Sequence, residues 1–256
     1  MRTPILTTLL LAAALGGCAS APAQESGPEQ LTVDVLSTLP HDPAAFTEGL
    51  EFAGGTLYES TGLAGQSKLT AGPAGGSPER TVTLPSPLFG EGVTVLGPTL
   101  WQLTWQDGVA IERDAGTLAE LRRVQYQGEG WGLCHQADGR LVMSNGSSWL
   151  TFRDPKTFAV TGSVDVGRDQ LNELECVGGD VYANVWHTDT ILRVDAASGH
   201  VTATIDAGQL RAQLNETGAE DVLNGIAAVP GTDEFLLAGK QWPTTFRVRF
   251  VPVKPG

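Results

Sequence analysis

The chain has 256 residues, 32 of them Gly and 15 Pro, and a net charge of -13 from 29 acidic and 16 basic side chains. Carboxylates spread this evenly exclude a nucleic-acid binder, whose affinity rests on Lys and Arg neutralising phosphates. Three cysteines without CxxC or HExxH spacing exclude a zinc site.

Residues 1–17 read as a lipoprotein signal peptide, with Arg2 in front of an apolar run from Ile5 to Leu15. Leu15-Gly16-Gly17-Cys18 looks like a lipobox, in which Cys18 takes the lipid and becomes the mature N-terminus. The alternatives are an ordinary cleaved signal or a short apolar anchor; the run falls short of the roughly 20 apolar residues of a membrane span. Ala19 rather than Asp after Cys18 points, in a Gram-negative host, to an exported protein anchored in the outer membrane and facing the periplasm. Residues 18–30, small, polar and Pro-containing, read as a flexible tether, and residues 31–256 as one domain.

From residue 31 onward, short runs of Val, Leu, Thr and aromatics alternate with Gly- and Asp-rich turns, the pattern of an all-β fold. A marker recurs at the head of five of these runs: Glu48-Gly49-Leu50, Glu91-Gly92-Val93, Trp131-Gly132-Leu133, Asn172-Glu173-Leu174 and Asn224-Gly225-Ile226. The steps are 43, 40, 41 and 52 residues. Units of about 40 residues holding four strands predict a five-bladed β-propeller. The longer last step predicts a short inserted helix near 207–216, where Leu210 and Leu214 recur at helical spacing. The last unit lacks a fourth strand, which "LTVDVLSTL" at 31–39 is expected to supply, closing the ring. Cys134 lies two residues after its marker Gly132 and Cys176 three after Glu173, so their side chains point to opposite faces. Facing blades need that parity, which predicts a Cys134–Cys176 disulfide between blades three and four, against two buried free thiols.

First strands of propeller blades line the central channel, so Glu48, Glu91, Trp131, Asn172 and Asn224 are expected on one level of it. Two crowded carboxylates tend to raise the pKa of one, which suits acid–base chemistry but also arises in structural networks. Trp101, Trp149 and Trp242 read as packing.

The segments "HDPAAFTEGLEF", "LYESTGLAGQSKL", "FGEGVTV", "LTWQDG", "GWGL", "LNELECVGGDVYANVWHTD" and "LNGIAAVPGTDEFLLAGKQWP" resemble the plant-type glutaminyl-peptide cyclotransferases, which also occur in bacteria. The resemblance runs from about residue 40 to 249. It implies a five-bladed propeller that converts the N-terminal glutamine of peptides and proteins to pyroglutamate, releasing ammonia, with no metal required. It implies Glu91 as general base and then general acid. Lys240 would hold the carboxylate or stabilise the oxyanion, and Asn172 would bond the substrate amide. Phe46, Glu48, Trp105, Trp131 and Trp186 would bind the substrate. Glu48 departs from the glutamine of plant members.

Beyond peptides with N-terminal glutamine, the expected partners are a membrane, through the lipid anchor, and no nucleic acid; the expected state is a monomer. No cofactor is expected, while a structural calcium ion in the tunnel is compatible with the resemblance. The alternative functions are a non-catalytic peptide-binding or scaffolding propeller lipoprotein of the envelope and a calcium-dependent propeller hydrolase.

Overall fold

A computed structural model describes residues 27–214, 218 and 221–254. The signal peptide, Cys18, most of the tether and the last part of the expected helix lie outside the described residues.

Among the described residues the fold is all-β apart from one helical turn. Strand β1 (Glu29–Pro40) is followed by β2 (Thr47–Ala53), β3 (Thr56–Thr61), β4 (Lys68–Gly72) and β5 (Arg80–Thr83), the last four forming one antiparallel sheet. Next come β6 (Gly90–Leu96), β7 (Thr99–Thr104), β8 (Val109–Asp114) and β9 (Glu120–Gln125), then β10 (Leu133–His135), β11 (Leu141–Met143), β12 (Trp149–Arg153) and β13 (Val160–Asp165), each set again a four-stranded sheet. The rest of the chain supplies β14 (Leu171–Val177), β15 (Asp180–Val185), β16 (Thr190–Asp195), β17 (Val201–Asp206), helix α1 (Gly208–Arg211), β18 (Leu223–Ala228), β19 (Glu234–Gly239) and β20 (Thr244–Pro252).

These last strands join β1 in one eight-stranded sheet ordered β14-β15-β16-β17-β1-β20-β19-β18. Strand β1 runs antiparallel to β20 from Leu31↔Pro252 to Pro40↔Thr244, so the N-terminal segment supplies the outer strand that the last unit lacks. It also pairs parallel with β17 over Glu29↔Ala203 to Thr32↔Asp206, a seam the sequence did not suggest. The strand starts at Glu29, inside the stretch read as tether.

Among the first strands of the units, β2 lies against β6, β6 against β10, β10 against β14, β14 against β18, and β18 against β2, a closed cycle. The core is distributed between successive units in the same way. Tyr58 and Leu69 meet Val93 and Leu100; Trp101 and Leu103 meet Leu133 and Leu141; Val142 and Phe152 meet Leu174 and Val181. Ile191 and Ile205 then meet Ile226 and Phe246, and Leu236 and Ala238 return to Leu50. Burial of these apolar faces is the main force holding the units together.

Marker glycines allow the first strands to converge. A β-carbon on Gly92 would lie 2.6 Å from the carbonyl oxygen of Trp131, and one on Gly132 only 2.1 Å from that of Asn172. Such separations exclude any side chain at either position. Glu173 takes the glycine's place in the fourth unit, and its carboxylate accepts from the backbone N–H of Leu50 (3.2 Å) and of Ile226 (2.8 Å), tying three first strands together.

Cys134 and Cys176 form the expected disulfide, with Cα atoms 5.4 Å apart, joining β10 to β14. The helix is shorter than expected, four residues capped by no side chain; Leu210 and Leu214 are buried as their spacing suggested. Trp149 departs from its expected packing role: it sits 47% exposed on β12, whereas Trp101 and Trp242 are fully buried.

Candidate active site

The five markers sit at breaks in strand pairing. Register shifts fall between Thr47 and Gly49, Gly90 and Val93, Leu171 and Leu174, and Leu223 and Ile226. In the third unit Trp131 and Gly132 precede β10 and are held by Ser144. Such bulges re-aim side chains that a regular strand would turn into its neighbours.

Glu48, Glu91, Trp131 and Asn172 consequently line one cavity of about 230 Å³, together with Phe46, Leu63, Phe89, Trp105, Trp186 and Lys240. Every residue that the resemblance assigns to the reaction or to substrate binding therefore lines the cavity. The positions flanking first strands (Phe46, Phe89, Trp131) and those just past second strands (Leu63, Trp105, Trp186, Lys240) share one end of the ring, because the two strands of each pair run antiparallel. Asn224 stands behind the wall, donating from Nδ2 to Glu48 Oε2 (3.1 Å) and to the carbonyl of Thr47 (2.9 Å).

Leu63 and Phe89 were not anticipated. Phe89 could have been: it precedes Glu91 by two residues, as Phe46 precedes Glu48. The Phe89 ring packs against Phe46 at 6.3 Å and Trp105 at 5.6 Å, and Trp131 meets Trp186 edge-on at 5.4 Å. Leu63 has φ 76°, a conformation no apolar run announces. Trp105, 37% exposed, forms the mouth rather than the depth of the pocket.

Lys240 Nζ donates to Glu48 Oε1 at 2.7 Å and stands 4.5 Å from the Phe46 ring centre. Burial pushes the Glu48 carboxyl up to about 7, against the opposing pull of Lys240 and Asn224. Glu91 is pushed well above its usual range by burial first, then by the charges of Glu48 and Glu129, with Lys240 opposing. Glu91 Oε2 and Asn172 Oδ1 are buried and have no hydrogen-bond partner among the described residues. Buried polar atoms normally have one, so these two are placed to receive donors from a guest.

The donor set does not fit a calcium ion, which takes six to eight oxygens. Glu48 is engaged by Lys240 and Asn224, Glu173 by two backbone N–H groups, Glu51 by the Thr94 hydroxyl at 2.9 Å, and Glu175 by the backbone N–H of Ala228 at 3.2 Å. Among the described residues no three His, Cys, Asp or Glu are grouped to hold a metal.

Residues 9–250 match the family model described as glutamine cyclotransferase. A glutaminyl-peptide cyclotransferase of Arabidopsis thaliana is 36% identical over 228 residues, covering 85% of this chain and 71% of that protein. The crystal structure of Myxococcus xanthus glutaminyl cyclase has a TM-score of 0.83 at 38% identity, covering 89% of this chain and 100% of that one.

Proposed function

The chain belongs to the glutamine cyclotransferase family and acts as a glutaminyl-peptide cyclotransferase on peptides with N-terminal glutamine; on that premise, we propose how its residues carry the reaction. Cyclisation is an acyl transfer within one residue. The α-nitrogen attacks the side-chain amide carbon, the oxygen gathers negative charge, the C–N bond to the amide nitrogen breaks, and ammonia leaves. One proton must move from the attacking to the departing nitrogen.

Glu91 is the group for that transfer. Its ionised form takes the proton as the new C–N bond forms, and the resulting acid returns it to the leaving nitrogen. A carboxylate with a raised pKa is suited to both halves, since the optimum lies near the operating pH. The observation that carries this reading is the buried, unpartnered Oε2 of Glu91 in an aromatic-walled pocket.

Lys240 keeps N–H bonds to spare beyond the one given to Glu48, and is our candidate to stabilise the oxyanion. Asn172 Oδ1 is placed to accept from the substrate amide. Phe46, Trp131 and Trp186 confine the glutamine side chain near its folded, ring-closing shape, and Trp105 covers the entrance. Glu48 serves as the hydrogen-bonded partner of Lys240 rather than as a second base.

The reaction so described needs no metal, because charge stabilisation and proton transfer are both assigned to side chains. We read the fold as a five-bladed β-propeller whose fifth blade is β18, β19, β20 and β1, a reading supported by the closed cycle of first strands. The leader features further suggest an exported protein, lipid-anchored through Cys18 to the outer membrane and facing the periplasm. Ammonia release from a synthetic peptide starting with Gln tests the activity; failure of the chain from residue 27 onward to turn over any of a panel of such peptides would overturn it.

A further inference from the structure

Glu129 does not line the pocket, yet its carboxylate fixes two of the pocket's walls. Oε2 accepts from the indole N–H of Trp105 (2.9 Å) and of Trp131 (3.1 Å), while Oε1 accepts from the amide of Gln106 (2.9 Å). Trp105 follows β7 and Trp131 precedes β10, so one carboxylate clamps neighbouring units together. A backbone bond from Gly130 N–H to the Trp105 carbonyl (3.0 Å) reinforces the joint.

The clamp also carries charge. Burial alone would raise the Glu129 pKa, but the bonds from Gln106, Trp131 and Trp105 outweigh it and hold the group below its usual range. No basic side chain takes part in that stabilisation. A carboxylate with no ion-pair partner among the described residues thus stands at the mouth beside the partly exposed Trp105, close enough to push Glu91 upward.

A substrate cannot avoid this charge. Its α-nitrogen must reach Glu91, and the second residue begins only three bonds away from that nitrogen, so the peptide leaves through the entrance at Trp105. We propose that Glu129 determines specificity for the residue following the N-terminal glutamine, favouring Lys or Arg and disfavouring Asp or Glu, while its hydrogen bonds hold the two indoles in place. This inference rests on the cyclotransferase reading above.

The test compares kcat/KM for Gln-Lys, Gln-Ala and Gln-Glu peptides, at low and high salt, in the wild-type chain, Glu129→Gln and Glu129→Ala. The readout is the ratio between peptides within one variant, so any general loss from a disturbed pocket cancels. At low salt the Lys-to-Glu ratio is expected to be about five- to tenfold in the wild type, the size of a partly solvated charge effect. Salt should shrink it as the charge is screened. Glu129→Gln preserves the shape and an acceptor oxygen for the indoles but not the charge, so its ratio should fall close to one. Its kcat/KM should also reach its plateau at a lower pH, because a charge raising Glu91 is gone. Glu129→Ala, which loses the clamp as well, should in addition raise KM for all three peptides. Turnover of all peptides with a wild-type ratio near one, or a ratio that survives Glu129→Gln, overturns the inference and leaves the cyclotransferase reading intact. No turnover of any peptide by the wild type overturns both.

Discussion

Lys240 Nζ and Glu48 Oε1 meet at 2.7 Å with both side chains below 10% exposure, so the lysine of the pocket is committed to the first glutamate of the repeated F-x-E-G and not to the second. This pairing separates two carboxylates that look alike in sequence. Each oxygen of Glu48 has a partner, Lys240 on one and Asn224 on the other, whereas Glu91 keeps an open oxygen.

Removing one member of a buried ion pair leaves the other uncompensated, which costs about 3–5 kcal/mol. Lys240→Met should therefore destabilise the fold strongly. The double variant Glu48→Gln/Lys240→Met should recover much of the loss, since no charge is then stranded. Urea unfolding of the two single variants and the double checks this; strictly additive losses would show that the pair is not coupled.

Glu48→Gln should also change the pH dependence of catalysis. The Glu48 charge raises the Glu91 pKa, and Lys240 lowers it. With Glu48 neutral, the first effect vanishes and the second is no longer offset, so Glu91 ionises more readily. The acid limb of kcat/KM, which reports the free enzyme's base, should move to lower pH. A profile measured from pH 4 to 9 would show the displacement.

Gly62→Ala addresses the apolar wall. A β-carbon there would lie 2.3 Å from the outer ring atoms of Phe89 and 3.2 Å from Cγ of Glu48. The far end of Phe89 can swing aside, and the space open to it is the pocket. The expected outcome is a KM raised about tenfold with a stability loss of only about 1–2 kcal/mol. Steady-state kinetics and thermal unfolding on one preparation separate these effects.

Stability should fall as pH rises through the neutral range, the reverse of ordinary carboxylate behaviour. Burial pushes Glu51 from 4.5 to about 7, and burial also places Glu173 and Glu175 well above their usual range. A carboxyl whose folded pKa exceeds its unfolded value stabilises fully below the unfolded pKa and loses that contribution as pH climbs through the folded one. For Glu51 the window runs from about 4.5 to about 7, with an effect on the order of 3 kcal/mol. Glu51→Gln should flatten the wild-type slope within this window, as read from urea midpoints between pH 4.5 and 8.

Much of this organisation was legible in the sequence because it rests on local necessities. Gly92 and Gly132 are glycines where another backbone occupies the side-chain space, and a requirement of that kind repeats with the unit. The parity of Cys134 and Cys176 followed from the alternation of a strand. Other features depend on contacts far apart in the chain. Nothing near Glu29 announces its parallel pairing to Ala203, and no motif tells that Lys240 chooses Glu48, 192 residues away. Glu129 is an intermediate case. It stands two residues before its marker Trp131, where the first two units carry Phe46 and Phe89, so aligning the repeats marks the position, although its clamp on two indoles is visible only in three dimensions.

The most direct test of the account is single-turnover ammonia release from a Gln-initiated peptide at saturating enzyme, comparing wild type with Glu91→Gln. The substitution keeps the side chain's size and removes only its ability to carry the proton. With Glu91 as the acid–base group, the rate should be about 10²–10⁴-fold lower, the usual range for loss of such a group, with peptide binding retained. A Glu91→Gln chain that cyclises the peptide at the wild-type rate would contradict it.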